Sequence, residues 1–253
     1  MTTVFVHGNP ETDAIWTDLV GELIDRGVED LVLLSPPGFG SPVPGHWGAT
    51  QIEYQNWLIA EVEAIGSRTP VDIVGHDWGA GHVFGLLAVH PQLVRSWACD
   101  CLGLMHPDYV WHDMAQLWQT PDVGEEVVSA MKSATTDERA SMMTGLGMNE
   151  FAATDVAASL DDIAECILPL YRSASQPAFA DLGRRLCDID LPPGLAIDPS
   201  EDPYVGPTGR VADMATRLGA HHSPLAGVGH WWMCQEPSTS AELLVDFWKS
   251  LKS

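Results

Sequence analysis

Short apolar runs rich in β-branched residues alternate with longer amphipathic stretches along most of this chain. Two of the longer stretches, 14–26 and 54–65, carry apolar residues near helical spacing with polar residues between them. This alternation is typical of α/β proteins, in which helices cross between buried parallel strands. The sequence therefore predicts a mainly parallel sheet with strands at 3–6, 31–34, 71–74, 95–99, 194–197 and 223–225.

The alternation stops after the fourth predicted strand. From residue 104 to residue 187 the sequence is typical of helices and is rich in Met, Trp, Asp and Ala. We interpret this part as a helical lid, residues 102–187, inserted into a core that residues 1–101 and 188–253 form together.

The charge balance limits the partners. Lys and Arg number 12 and Asp and Glu number 35, which gives a formal net charge of −23 at pH 7. A field of this sign repels phosphate backbones and anionic lipid headgroups. We therefore expect neither nucleic acid nor a membrane as a partner.

The cysteines point to a reducing compartment. They are 5, an odd number, and they form no CxxC pair and fit no zinc-ligand spacing. The N-terminus has no basic region and no apolar run long enough for a signal peptide or a spanning helix. We expect a cytoplasmic protein without a metal or an organic cofactor, and its assembly into a homodimer stays open.

The most informative motif follows the third predicted strand, where Gly75-His76-Asp77-Trp78-Gly79 leads into a predicted helix. Small residues on both sides of Asp77 suit the sharp strand-to-helix turn of a nucleophile elbow, because the neighbouring backbone passes close to it. Lipases and esterases carry Ser at this position, but Gly-x-Ser-x-Gly occurs nowhere in the chain. Asp77 is therefore the predicted nucleophile.

An aspartate nucleophile implies a particular reaction. A carboxylate with an ordinary pKa of about 4 is ionised at neutral pH and attacks without a base. It is a competent nucleophile at a saturated carbon that bears a halide or a strained epoxide oxygen, and the product is an alkyl ester of the enzyme. Water must then cleave this ester, which requires a general base, an orienting acid and an oxyanion hole.

Chain order indicates the base and the acid. His230, in the loop after the last predicted strand, is the predicted base, whereas His76 at the elbow has a packing or loop role. Asp202, in the loop after the penultimate strand, is the preferred acid. Asp100, at the end of the fourth strand, is the alternative.

The oxyanion hole is predicted after the first strand. Asn9 lies in His7-Gly8-Asn9-Pro10, and its backbone N–H group is expected to join that of Trp78.

Together these motifs resemble the Asp-nucleophile branch of the α/β-hydrolase family, which contains epoxide hydrolases, haloalkane dehalogenases and fluoroacetate-type dehalogenases. The resemblance covers nearly the whole chain and implies the α/β-hydrolase fold. The first two strands usual in that fold have no counterpart here, so we expect a sheet shortened at the N-terminal end. The residues that carry the resemblance are His7-Gly8-Asn9-Pro10-Glu11, Gly75-His76-Asp77-Trp78-Gly79-Ala80 and Gly229-His230-Trp231.

The resemblance implies two ways to stabilise a leaving group. Epoxide hydrolases of this branch use two lid tyrosines, of which Tyr171 resembles the second, while only the early Tyr109 is available as the first. Haloalkane dehalogenases use side-chain N–H donors, a role open to Trp78 and Asn9. We expect an epoxide hydrolase that converts a small apolar epoxide to a diol, with a haloalkane or haloacid dehalogenase as the alternative.

Aromatic residues are predicted to line the substrate pocket: Tyr109, Trp111, Trp118 and Trp231. The spacing of Trp111, Met114 and Trp118 places them on one face of a predicted helix, which suits packing against the core or the roof of an apolar pocket. The expected partners are a small apolar electrophile and water. A non-catalytic ligand-binding protein with the same fold is the second alternative.

Overall fold

All six predicted strands form, and they pair in parallel within a single sheet. The computed structural model describes residues 1–66, 69–206 and 209–251. The strands are β1 Thr3–Val6, β2 Leu31–Leu34, β3 Val71–Gly75, β4 Val94–Cys99, β5 Gly194–Pro199 and β6 His221–Leu225. Their spatial order is β2-β1-β3-β4-β5-β6. The predicted α/β class with a parallel sheet is confirmed.

Helices connect the strands and cover the sheet. Outside the segment between β4 and β5 they are α1 Thr17–Asp25, α2 Gln51–Ile65, α3 Trp78–Leu87, α9 Arg210–Arg217, α10 Trp232–Gln235 and α11 Pro237–Ser250. The prediction placed the start of α2 three residues late. The Thr50 side chain accepts from the backbone N–H of Glu53, and the Glu53 side chain accepts from Thr50, so this capping box starts the helix at Gln51.

The segment between β4 and β5 is helical, as predicted. It contains α4 Asp113–Gln119, α5 Val123–Ser133, α6 Thr136–Gly145, α7 Glu150–Ser173 and α8 Ala178–Cys187. The predicted helical face shared by Trp111, Met114 and Trp118 is wrong, because Trp111 precedes the helix. His112 caps α4 by accepting the backbone N–H of Ala115, and the helix begins at the next residue.

The sheet is buried between its helices. Every residue of β1 and β3 is buried, whereas the edge strands β2 and β6 are partly exposed. Three tryptophans, Trp16, Trp97 and Trp232, are among the largest fully buried side chains. Within the described ranges, no helix is both long and apolar enough to cross a membrane.

Parallel pairing brings the carboxyl ends of the strands to one edge of the sheet. The loops that begin there hold Asn9 after β1, Asp77 after β3, Asp100 after β4, Asp202 after β5 and His230 after β6. These five residues, far apart in sequence, are thus neighbours in space, and crevices at this edge are where α/β proteins bind ligands.

Gly79, at the second position of α3, permits a very close approach between α3 and β1. A Cβ there would clash with the Val6 carbonyl and lie 2.7 Å from the His7 carbonyl oxygen. We expect Gly79→Ala to lower the free energy of unfolding by about 2 kcal/mol or more, because two backbone segments must move apart. Urea unfolding followed by circular dichroism measures this loss.

Gly21→Ala is the matched control, since Gly21 is exposed within α1 and a Cβ there meets nothing within 4 Å. It should raise stability by up to about 1 kcal/mol through helix propensity. Equal stability of the two variants would show that α3 does not depend on this close approach.

Candidate active site

Asp77 occupies a strained turn between β3 and α3. Its φ is 51° and its ψ is −120°, a conformation rarely adopted by residues other than glycine. Gly75 before the turn is also constrained, because a Cβ there would lie 2.8 Å from the Ala80 Cα. The structure therefore places Asp77 on a turn of the elbow type, with its side chain held away from the flanking backbone.

The Asp77 carboxylate faces two other loops. Its Oδ1 accepts from the backbone N–H of Asn9 at 2.9 Å, and its Oδ2 lies 3.8 Å from Nε2 of His230. Burial raises the pKa of Asp77 to about 6. The expectation of an ordinary pKa is wrong, because burial removes the carboxylate from water. The Asp77 carboxylate is therefore mostly ionised only above about pH 6.

His230 is buried and paired with Asp202. Its Nδ1 lies 2.8 Å from Oδ2 of Asp202, while the other carboxylate oxygen accepts from the backbone N–H of Tyr204 at 2.8 Å. Burial opposes the charged form of His230, but the negative charges of Asp202 and Asp77 outweigh it and raise the pKa of His230. Nε2 therefore faces Asp77 while Nδ1 is fixed by a carboxylate.

Asp100, the alternative acid, has different partners from His230. Its Oδ1 accepts from the backbone N–H of Asp77 at 2.9 Å, and its Oδ2 accepts from the indole N–H of Trp232 at 2.6 Å. Its Oδ2 also bonds Nδ1 of His76. Of the two candidate acids, the structure brings only Asp202 into hydrogen-bond contact with the base.

Glu11 belongs to the site but received no role from the sequence. It is fully buried, and its Oε1 lies 2.9 Å from Nε2 of His76. The signal that could have located it is the strand order. His76 follows β3, whereas Glu11 and Asp100 follow β1 and β4, the two strands that flank β3.

The predicted oxyanion donors meet beside Asp77. The Asn9 N–H already bonds the Asp77 carboxylate. Trp78 is the first residue of α3, where backbone N–H groups have no partner within the helix. A Cβ on Gly8 would lie 2.6 Å from the Trp78 nitrogen, so the loop after β1 and the N-terminus of α3 are in direct contact.

A mainly apolar cavity of about 330 Å³ borders Asp77. Several of the predicted site residues line it, including Tyr171, Trp118 and Trp231. Four methionines also line it, and their flexible, polarisable side chains adapt to ligands of different shape. The lining residues are Asn9, Pro10, Asp77, His112, Met114, Trp118, Met131, Met142, Met143, Leu146, Tyr171, Tyr204, His230 and Trp231.

Tyr109 and Trp111, also predicted to line the pocket, are not among the described residues that line this cavity. The Trp111 ring centroid lies 5.9 Å from that of Trp78 and 5.7 Å from that of Tyr171. The Tyr109 hydroxyl donates to the backbone carbonyl of Tyr204 at 2.7 Å. Trp111 also packs against Tyr109, with ring centroids 5.4 Å apart.

The Tyr171 hydroxyl lies at the cavity wall beside Asn9 and Trp78. Nδ2 of Asn9 donates to it at 3.5 Å, and the Trp78 and Tyr171 ring centroids lie 5.0 Å apart. Because the hydroxyl accepts from Asn9, its own proton is free to donate. Burial and the Asp77 charge raise the pKa of Tyr171 well above its usual range, so the hydroxyl stays protonated.

His112 is a further polar residue at the cavity, which the sequence did not reveal. It lines the cavity, and its Nδ1 accepts from the Ala115 N–H at 3.3 Å. Burial lowers its pKa to about 4, so the ring is neutral at neutral pH. Since Nδ1 is an acceptor, the ring proton is assigned to Nε2. The sequence feature that could have located His112 is its N-cap position before α4, which can be recognised only once the start of that helix is known.

Two groups of side chains in the described residues lie close enough to offer a metal three ligand atoms: Glu11, His76 and His230, and Cys101, Asp202 and His230. Both nitrogens of His76 and one nitrogen of His230 already bond carboxylates. The donor sets thus form a hydrogen-bonded network, and the absence of a cofactor stays a prediction.

The sequence of the chain matches a known protein family. The family model for the alpha/beta hydrolase fold matches residues 3–135, more than half of the chain. The chain belongs to the α/β-hydrolase fold family. The matched part of this family member runs from β1 to just beyond α5 and includes the loops of Asn9, Asp77 and Asp100. The fold expected from the resemblance is confirmed.

The chain is 30% identical over 144 residues to a curated haloalkane dehalogenase from Mesorhizobium japonicum, and the aligned part spans 50% of this chain and 42% of that protein. It is similar to the structure of a loop variant of a Bradyrhizobium elkanii haloalkane dehalogenase, with a TM-score of 0.71 at 20% identity over 98% of this chain and 90% of the other.

A lipase-esterase related protein from Clostridium acetobutylicum is similar to the same degree, with a TM-score of 0.71 at 17% identity over 97% and 93% of the two chains. Because proteins with differently named activities share this fold, the chemistry must be argued from the site residues.

Asp202 and Asp100 can be compared through the protonation of His230. Asp202→Asn should lower the pKa of His230 by about one unit or more, because it removes the charge bonded to the ring. NMR titration of the histidine ring protons measures this value. Asp100→Asn, the matched control, should change it less, since Asp100 does not bond His230. A larger effect of Asp100→Asn would reverse the assignment of the acid.

Proposed function

We propose that this protein hydrolyses a small, uncharged, apolar electrophile through an alkyl ester on Asp77. One observation carries the proposal: a carboxylate, in place of a hydroxyl, lies on the elbow and faces the His230–Asp202 pair across 3.8 Å inside an apolar cavity. Carboxylates form such covalent intermediates by attacking electrophilic carbon. Among the described residues that line the cavity there is no lysine or arginine, so an anionic haloacid has no cationic partner there.

The first step uses ionised Asp77 as the nucleophile. One carboxylate oxygen forms a bond to the substrate carbon as the carbon–oxygen bond of an epoxide, or a carbon–halogen bond, breaks. The released alkoxide takes a proton from a lid donor, whereas a halide leaves as an anion. Because burial raises the pKa of Asp77 to about 6, we expect this step to slow as the pH falls through that value.

The second step uses His230 as a general base. Nε2 takes a proton from water, the hydroxide adds to the Asp77 carboxyl carbon, and the Asn9 N–H stabilises the oxyanion at Oδ1. Collapse expels an alkoxide, which takes the proton from His230, and leaves Asp77 as a carboxylic acid. The Asp77 proton then returns to the lid donor after epoxide opening, or passes to solvent after halide release. Ester formation also removes the Asp77 charge, one of the charges that raise the pKa of His230, so the neutral form of the base is favoured when water must be activated.

Of the two possible reactions, the polar residues of the lid favour the opening of an epoxide. An epoxide oxygen leaves as a developing alkoxide and needs a proton donor in the transition state. Tyr171 is a protonated hydroxyl that accepts from Asn9 and keeps its own proton for donation, and neutral His112 offers Nε2–H to the same cavity. The proposed reaction is therefore hydrolysis of a small apolar epoxide to a diol, with Tyr171 and His112 as the lid donors.

Haloalkane hydrolysis is the second candidate. It is supported by the partial similarity to a haloalkane dehalogenase and by the side-chain N–H groups of Asn9 and Trp78. The Asn9 side chain bonds the Tyr171 hydroxyl, and Trp78 is not among the described residues that line the cavity. A halide would therefore have to compete with that hydroxyl for the Asn9 donor, which makes this candidate secondary.

Tyr171→Phe distinguishes the two reactions. If the protein opens epoxides, this variant should lose activity on the order of 10², because the alkoxide has no acidic donor. The assay offers a terminal epoxide and a bromoalkane of equal chain length and measures diol and bromide separately. Tyr109→Phe is the matched control, since it removes a buried hydroxyl that donates to the Tyr204 carbonyl, and it should cost less than about tenfold.

His112→Asn and His112→Ala separate donation from capping in the same assay. Asn retains an N-cap for α4 but lacks a donor at the Nε2 position, whereas Ala loses both. Similar losses of diol formation in the two variants would support a donor role. Bromide release by the wild type and by all lid variants, with no diol formed from the epoxide even by the wild type, would replace the epoxide proposal with the dehalogenase.

A further inference from the structure

His76 is buried between two carboxylates. Its Nε2 lies 2.9 Å from Oε1 of Glu11, its Nδ1 bonds Oδ2 of Asp100, and all three side chains have no exposed surface. A ring nitrogen that faces an ionised carboxylate must carry a hydrogen, so this ring carries both hydrogens and a positive charge. Burial opposes that charge, but the two carboxylates outweigh it and raise the pKa of His76 well above its usual range.

Glu11 links this ring to two of the active-site loops. Its Oε2 accepts from the backbone N–H of Gly8 at 2.7 Å, beside the predicted oxyanion donor Asn9. Its Oε1 accepts from the indole N–H of Trp231 at 2.7 Å, next to the base His230. A single carboxylate thus joins the loop after β1 to the loop after β6.

Asp100 links the same ring to the elbow and again to the base loop. Its Oδ1 accepts from the backbone N–H of Asp77 at 2.9 Å, and its Oδ2 accepts from the indole N–H of Trp232 at 2.6 Å. Together, Glu11 and Asp100 fix the three loops that carry Asn9, Asp77 and His230. None of Glu11, His76 and Asp100 is among the described residues that line the cavity.

The His76 charge also lies close to the base. The ring centroids of His76 and His230 are 4.5 Å apart, so a positive charge on His76 opposes a second positive charge on His230. The same charge favours the ionised form of Asp77. The titratable groups that face His76 from the surrounding elements are Glu11, Asp100, Asp77, His230, His7 and Cys234.

We propose that His76 is a positioning residue: clamped between Glu11 and Asp100, it holds the three active-site loops together, and its charge favours the ionised form of Asp77 and opposes the protonation of His230. This role extends the function proposed above and rests on it only for its effect on turnover. The clamp and its effect on His230 exist without substrate, so they can be tested even if the proposed reaction is wrong.

Two variants separate the effect of the His76 charge from the effect of its hydrogen bonds. His76→Gln retains an amide N–H toward Glu11 but removes the positive charge, so the pKa of His230 should rise by about one unit or more. Glu11→Gln combined with His76→Gln removes one negative and one positive charge and restores the net charge of the cluster. The pKa should then return to within about half a unit of the wild-type value.

NMR titration of the His230 ring carbon in selectively labelled protein measures these values, with His230→Gln used for assignment. On an accepted substrate, the acidic limb of kcat should move to higher pH in His76→Gln and return in the double variant. An unchanged pKa of His230 in His76→Gln, or a further displacement in the double variant, would overturn the proposal.

If His76→Gln does not fold, the clamp can be tested with two double variants that keep the net charge of the cluster. The first is Glu11→Gln combined with His76→Gln, described above. The second is Asp100→Asn combined with His76→Asn, which removes the other carboxylate charge together with the ring charge. Folded double variants with a titration of His230 close to that of the wild type support the clamp. Failure of both to fold, or a displacement of about one unit in both, contradicts it.

Discussion

A carboxylate that acts as a nucleophile from inside a protein must stay ionised although burial favours its neutral form. Asp77 faces this constraint directly, because desolvation raises its pKa to about 6. The Asn9 N–H, His230 and the more distant His76 oppose that effect. The rest of the site can be understood as the set of contacts that place donors and positive charge around one oxygen pair.

The parallel sheet is what makes this arrangement available. Because β1, β3, β4, β5 and β6 all end at one edge, their loops deliver residues from distant parts of the chain to a single point. Two buried carboxylate–imidazole groups meet there, one with Asp202 and His230 and the other with Glu11, His76 and Asp100. The first group faces the cavity, while the second lies behind the nucleophile and bonds the loops around it.

Much of this organisation is readable from the sequence because it is local. The strands are short apolar runs, and the elbow is a contiguous motif. Its glycines Gly75 and Gly79 are required because a Cβ at either position would clash with the neighbouring backbone. Asp202 beside His230 follows from chain order, because both lie in loops at the same edge of the sheet.

Other features depend on geometry that the sequence does not contain. The partners of His76 depend on which strands flank β3, which only the sheet order reveals. The position of Trp111 depends on where α4 begins, and a cap by His112 decides this. The raised pKa of Asp77 depends on burial, which residue type alone does not determine.

We propose that Asp77 forms an ester that is removed only by water activated by His230. Incubation of His230→Gln with a terminal epoxide, followed by mass measurement of the intact protein and of its peptides, tests this directly. We expect a stable mass increase equal to one epoxide, located on the peptide that contains Asp77 and absent from Asp77→Asn combined with His230→Gln. If the wild type turns over the same epoxide but His230→Gln carries no adduct on Asp77, then Asp77 is not the nucleophile.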